Sequence, residues 1–290
     1  MAQETSYSID EIIKELMKLD RLRYLEILKE SDEPLASYEI TKKVLISEGV
    51  KEESIDNKLL RSKNPPINTR LKTMQDMDVL ANEDGKYSVD IAGLLFLHAR
   101  KKLSESREIL EKHRTFFETH NFRDIPVEFR WQIYKLMQTE MIVNVYDFIE
   151  NVQENLKKVK RKIYLLTEYL HSIPDEVIQK IQEGEIDIAI LYQSCNPPRI
   201  EREDERELFD KLTRNPREGI EFRFLPLRQR LPVYISRIDE QWALFALSAT
   251  SSEIIDRNQA FCGSNIEFVT WCRDLLYHLW WEKDVMVLEI

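Results

Sequence analysis

Residues 64–89 read NPPINTRLKTMQDMDVLANEDGKYSV, a short helical pattern that runs straight into a hairpin pattern. Proline lacks a backbone N–H and suits the first helical turn, so Pro65 and Pro66 predict a helix start with Asn64 as its cap. Spaced at about 100° per residue, Ile67, Leu71 and Met74 form one stripe, while Asn68, Thr69, Lys72 and Thr73 lie on or beside the opposite side. That outer face carries the amide, hydroxyl and amine groups that suit base edges and phosphates. An ordinary amphipathic helix with a solvated face has the same periodicity. Asp84-Gly85 is a strong two-residue turn signal between two short β-compatible runs.

Working outward, Ser8 and Glu11 make a capping box ahead of Ile9, Ile12, Ile13 and Leu16, which predicts a first helix. RLRYLEILKE continues in helical pattern until the SDEP cluster before Pro34. ASYEITKKVL, with Ile40, Val44 and Leu45 on one face, predicts the next helix. About eighteen residues, 46–63, then separate it from Asn64, a long connection for two packed helices. Lys58, Arg61 and Lys63 in that segment are either an extra contact loop or a solvated insertion. From Asn57 to Gln75 the chain has these three, Arg70 and Lys72, with no acidic residue. Asp90 is the expected cap of IAGLLFLHARKKL, whose Ile91, Leu94, Leu95 and His98 fall on one side.

The order of these elements from Leu19 to Leu103 resembles the winged helix-turn-helix domain of prokaryotic transcription regulators. The resemblance implies that the helix after Pro66 enters the major groove with Asn68, Thr69 and Lys72 near base edges and Thr73 behind them. Arg70 lies toward the apolar flank and is assigned to a phosphate contact or to snorkelling. Lys86 on the wing completes the candidate DNA-binding set.

With 290 residues, 43% hydrophobic and 32% charged, the chain has room for two soluble domains. No apolar run approaches the roughly 20 residues that span a bilayer. MAQETSYSIDEII lacks the basic and apolar blocks of a secretory signal, so a cytoplasmic protein without membrane association is expected. The net charge of -10 argues against indiscriminate coating of nucleic acid and leaves room for one local basic face. Cys195, Cys262 and Cys272 and the five histidines show no metal-ligand spacing, and no cofactor or structural metal is expected.

Beyond a helical connector at 104–125, residues 126–290 read as α/β. A helix bearing Phe148, Ile149, Val152 and Leu156 leads into KIYLLTEYL; SIPDEVIQKIQEG is helical and IDIAILYQ is a buried strand. EREDERELFDKLTRN, GIEFRFLPL, a hairpin through Asp239 and Glu240, and the helix NIEFVTWCRDLLYHLWWEK follow. The lysine-rich run KKVKRK at 157–162 reads as solvated surface at a helix end. Trp271, Trp280 and Trp281 read as core or subunit contact.

Residues 116–283 resemble the carboxy-terminal domain of archaeal winged-helix regulators that include the methanogenesis regulators. FFETHNFRDIPVEFRWQI, SIPDEVIQKI, VYISRIDEQWALFALS and YHLWWEK carry that resemblance. The fold class it implies is an α+β winged helix-turn-helix domain (1–103) followed by an α/β, phospholipase D-like domain. Enzymes of that fold place a His-x-Lys pair ahead of an Asp. If Asp239 matches that Asp, Pro232 and Tyr234 stand where His and Lys would be, and neither can do that chemistry. No Gly-rich phosphate loop or GxSxG is present.

The expected protein is therefore a non-enzymatic regulator that binds double-stranded DNA as a homodimer. Its second domain would sense a small-molecule effector or hold the dimer together. Tyr234, Arg223, Arg228 and Arg230 are the candidate ligand-binding residues, and the first helix and the helix after the wing are the candidate dimer contacts. A phospholipase D-fold phosphodiesterase and a winged-helix protein-interaction module are the rival readings.

Overall fold

A computed structural model describes residues 8–168, 173–193, 203–213, 218–225, 232–252, 254–281 and 286–288. The chain divides into two compact units, Met1–Ser104 and Glu105–Ile290.

The first unit contains α1 (Ile9–Leu16), α2 (Leu19–Lys29), β1 (Leu35–Ala36), α3 (Ser37–Ser47), α4 (Asn57–Asp76), β2 (Leu80–Glu83), β3 (Lys86–Val89) and the start of α5 (Ile91–Lys112). The Ser8–Glu11 capping box forms as expected. Leu25, Ile40, Val44, Leu71 and Met74 join Tyr24, Val79 and Tyr87 in one core. A three-stranded antiparallel sheet in the order β1-β3-β2 closes it. Asp84 and Gly85 both take positive φ, 52° and 80°, which is the backbone twist a two-residue hairpin needs. Asp90 precedes α5, and its carboxylate accepts from the Ile91 amide at 2.6 Å.

Two expectations fail here. The helix does not begin at the prolines: α4 starts at Asn57 and carries Pro65 and Pro66 in its interior. Its cap is Asp56, whose carboxylate accepts from the Leu59 amide at 2.7 Å. Asn64 instead accepts from the buried Thr41 hydroxyl at 2.8 Å, tying α4 to α3. Each proline removes one helical N–H, leaving the carbonyls of Arg61 and Ser62 without their usual donors. Arg61 and Ser62 sit on the exposed side, where water can satisfy those carbonyls, while Leu60 and Ile67 bury the helix on both sides of the break. The long insertion thereby shrinks to a short link with one 3-10 turn at Glu52–Ser54.

The side of α5 that bears Ile91, Leu94, Leu95 and His98 is exposed. What packs inward is Leu97 and Gly93. A Cβ on Gly93 would lie 2.6 Å from the Val79 carbonyl oxygen and 2.7 Å from a Val89 methyl. Gly93→Ala is expected to lower the stability of the first unit by about 1–3 kcal/mol, measured by urea denaturation of the full chain.

The second unit adds α6 (Arg114–Thr119), α7 (Val127–Arg130), β4 (Glu140–Ile142), α8 (Val145–Lys157), β5 (Lys162–Thr167), α9 (Asp175–Glu183), β6 (Asp187–Tyr192), α10 (Glu203–Thr213), β7 (Ile220–Phe224), β8 (Val233–Ile238), β9 (Trp242–Ser248), β10 (Ile255–Gly263), α11 (Ile266–Trp280) and β11 (Met286–Leu288). Its sheet runs β11-β7-β6-β5-β8-β9-β10-β4. β5, β6 and β7 are parallel, joined through α9 and α10, and β8 turns antiparallel against β5. The central strands are apolar on both faces because each face has its own core. One holds Phe148, Ile188, Phe222 and Tyr234; the other holds Leu166, Ile235, Phe245 and Trp271.

From Glu105 on, the segment 104–125 packs within the second unit. Ile109, Phe116 and Ile125 are buried in the second core, Phe116 stacked on the buried His120 ring at 4.2 Å. Trp271 and Trp280 are core residues, the Trp271 indole donating to the Phe129 carbonyl at 3.1 Å, whereas Trp281 is exposed.

Candidate nucleic-acid interface

The single 20-residue helix α4 spans about 30 Å and puts widely separated residues on one stripe. Lys58, Arg61, Ser62, Thr69 and Lys72 fall within about 100° of arc, opposite Leu60, Ile67, Leu71 and Met74. All five are exposed. Lys58, Arg61 and Lys72 have no ion pair among the described residues, and the only acid on the stripe is Asp76 at the last position. Three uncompensated cations along one helix in a chain of net charge -10 make a locally positive strip.

The other candidates divide. Lys63 is exposed but turned about 140° from Lys58, off the stripe. Lys86 is exposed at the first position of β3, opposite Glu83 in register. Arg70 has partners inside the fold: its guanidinium meets the Asp20 carboxylate at 2.9 Å and donates to the Tyr24 hydroxyl at 2.9 Å. Those partners raise its pKa, the tyrosine hydrogen bond most, and fix α4 to α2. Asn68 is half-buried, and its amide oxygen accepts from the Tyr87 hydroxyl at 3.3 Å. That bond ties its oxygen to the hairpin and leaves the amide N–H groups and the second lone pair of the oxygen without a partner among the described residues. The Thr69 and Thr73 hydroxyls donate to the Pro65 and Thr69 carbonyls at 3.0 and 3.1 Å. Thr69 is exposed and Thr73 half-buried.

Sequence reading missed Ser62 as part of the stripe because it placed that residue ahead of the helix. The signal was present in Asp56, a good N-cap residue followed by Leu59 and Leu60.

Of the proposed effector set, Tyr234 and Arg223 are not brought together. Tyr234 is buried in the core on the α8 side, 5.4 Å from the Phe148 ring, and burial pushes its phenol pKa up. Arg223 lies on the opposite face of the sheet, 4.6 and 4.7 Å from the Trp280 and Trp281 rings, and donates to the Trp280 carbonyl at 3.1 Å. Alternation along β7 and β8 decides this, since side chains of opposite parity leave the sheet in opposite directions. Arg228 and Arg230 lie outside the described residues. Cys262 and Cys272 are buried thiols whose pKa values burial raises, that of Cys262 to about 11.

Asp239 has a structural task. Buried at the β8–β9 turn with φ 51°, it accepts the backbone N–H groups of Lys160, Arg161 and Lys162, each at 2.9 Å.

No family model matches the chain, and no curated protein does. Among solved structures, it is similar to TrmBL2, described as an archaeal chromatin protein with a novel mode of DNA binding. That match is at 16% identity and TM-score 0.37, over 92% of this chain and 99% of the other. Half-length likenesses are to phosphatidylserine synthase of Haemophilus influenzae (16% identity, TM-score 0.37, 51% of this chain and 38% of the other) and to NucT of Helicobacter pylori (10%, 0.35, 49% and 95%). Likenesses at this level leave the function to be argued from the chain's own residues. No helix among the described residues is long and apolar enough to cross a membrane.

Proposed function

We propose that the chain is a DNA-binding transcription regulator whose first unit is a winged helix and whose α4 lies along the major groove. The carrying observation is the exposed stripe Lys58, Arg61, Ser62, Thr69 and Lys72, basic and almost free of acid. Element order supports the reading, because a helix followed by a two-stranded hairpin is how a winged helix presents its reading helix beside its wing. Anisotropy titration of the full chain with duplex DNA tests it. Four exposed cations (Lys58, Arg61 and Lys72 on the stripe and Lys86 on the hairpin) predict log K falling against log salt with a slope of about -3 to -4 per bound chain. A slope near zero would exclude the proposal.

The regulator acts as a homodimer, and α5 supports that reading. Ile91 and Leu95 are 72% and 65% exposed on the same side as Leu94. Apolar residues at this spacing on a water-facing helix are what a paired helix needs. Leu95→Glu is expected to raise the dimer dissociation constant by about tenfold or more, read by sedimentation equilibrium with circular dichroism unchanged.

The second unit works without catalysis. Tyr234 is enclosed in the core and Asp239 is committed to three amides, so neither is free to attack or to hold a phosphodiester. Purified protein is expected to leave phosphodiester substrates intact with or without divalent metal. Turnover that copurifies with the chain and disappears on replacing one histidine would reverse this reading.

A further inference from the structure

The second unit contains a cavity of about 600 Å³ at the end of the sheet face covered by α11, where β5 begins and β8 ends. Lys162, Tyr164, Arg237, Glu240, Arg273 and Tyr277 are on its wall. Arg237 decides its chemistry. The residue is only 3% exposed, and its Nε has no hydrogen-bond partner. The one carboxylate within 4 Å of it among the described residues is that of Glu240, at 3.9 Å, too long for a hydrogen bond, on a side chain 67% exposed. Its remaining support is Tyr164, whose ring lies 4.9 Å from the guanidinium carbon and whose phenol pKa, raised most by burial, Arg237 lowers in part by charge and hydrogen bonding.

Neighbouring acids do not complete it. Asp187, also on the wall, makes no ion pair with Arg237 within 4 Å, Asp239 is occupied by its three backbone amides, and Asp274 accepts from Arg273 at 2.7 and 2.9 Å. Lys162, the other buried-side cation, already pairs with Glu221 at 3.0 Å. A guanidinium taken out of water without its full set of acceptors is costly, and a planar or tetrahedral oxyanion entering the cavity restores what is missing through charge-assisted bonds. The cavity is also larger than a lone ion needs and lies in the range of small-molecule sites. One wall is aromatic: the Tyr164 and Tyr277 rings meet edge to face at 5.9 Å, their hydroxyls 3.2 Å apart. Burial, with the Tyr277 contact behind it, holds the Tyr164 phenol up to about 12, so it stays a neutral donor.

We infer that this cavity binds a small anion that carries a ring, with Arg237 gripping a phosphate or carboxylate and Tyr164 and Tyr277 flanking the ring. The site stands apart from the DNA reading and survives its failure. Isothermal titration of the full chain with phenyl phosphate, benzoate and inorganic phosphate, against sodium chloride at equal ionic strength, tests it. Saturable binding of phenyl phosphate or benzoate is expected, tighter than that of inorganic phosphate, and the preferred one of the two names the oxyanion. Arg237→Met should weaken that binding by about thirtyfold or more. Glu240→Gln, at an exposed position that leaves the fold intact, removes the competing carboxylate and should tighten it by about two- to fivefold. The inference is overturned by absence of saturation up to about 10 mM, by inorganic phosphate or chloride giving equal binding, or by Arg237→Met binding as wild type does. Should Arg237→Met not fold, unchanged affinity in Glu240→Gln overturns it.

Discussion

Replacing Lys58, Arg61 and Lys72 together with alanine is expected to weaken duplex binding by about a hundredfold at physiological salt and to make the salt slope shallower by about 3. The arithmetic follows from counterion release: each phosphate neutralised contributes about 0.9 to the slope, so three lost cations remove about two decades of affinity near 0.15 M salt. The three side chains are exposed and hold no partner among the described residues, so their loss leaves the core of the first unit untouched. Replacing Arg70 is different in kind. It breaks the tie to Asp20 and Tyr24 and should lower stability while shifting the salt slope little. An unchanged slope in the triple variant, with native circular dichroism, would remove α4 from the interface.

Asp239→Ala is expected to destabilise the second unit by about 3–5 kcal/mol, measured by denaturant unfolding of the full chain. Three backbone amides at 160–162 lose their acceptor at once, and alanine pays for the positive φ of 51° that aspartate and asparagine tolerate better. Asp239→Asn keeps one oxygen facing Arg161 and Lys162 and should cost about 1–2 kcal/mol, mostly for the lost charge and the Lys160 bond. Hydrogen exchange at those three amides should accelerate in the same order. Equal stability of Asp239→Ala and wild type would mean that the β8–β9 turn is held by its strands alone. The same prediction bears on function, because a carboxylate so committed serves the fold.

The local patterns on which the α4–wing reading rests are legible in the sequence alone. The spacing of Ile67, Leu71 and Met74, the Ser8–Glu11 box, the Asp84-Gly85 turn and the alternation of helix and strand through 145–224 are short-range physics. Residues within a turn or two of one another decide them. The start of α4 was not legible, because proline raises the cost of continuing a helix without forbidding it. Burial of Leu60 and Ile67 on either side of Pro65 and Pro66, with Asn64 held by Thr41, outweighs two missing hydrogen bonds. That outcome joined Lys58 and Arg61 to the exposed stripe of α4 and made the supposed insertion part of the helix.

Parity along a strand already implied that Tyr234 and Arg223 need not share a face, yet only the strand order β7-β6-β5-β8 showed which face each one takes. The cavity at Arg237 lay wholly beyond sequence. Its walls come from β5, β8 and α11, far apart in the chain, and an arginine in VYISRID reads like any surface cation. By itself the sequence determined the periodicities, the caps, the hairpin turn and the acid-free run. Tertiary structure decided which arginines are spent on other residues, as Arg70 is on Asp20 and Tyr24, and which are buried short of partners, as Arg237 is. The reason is that solvation and pairing of a charge depend on what the fold brings within hydrogen-bond reach, which no local pattern encodes.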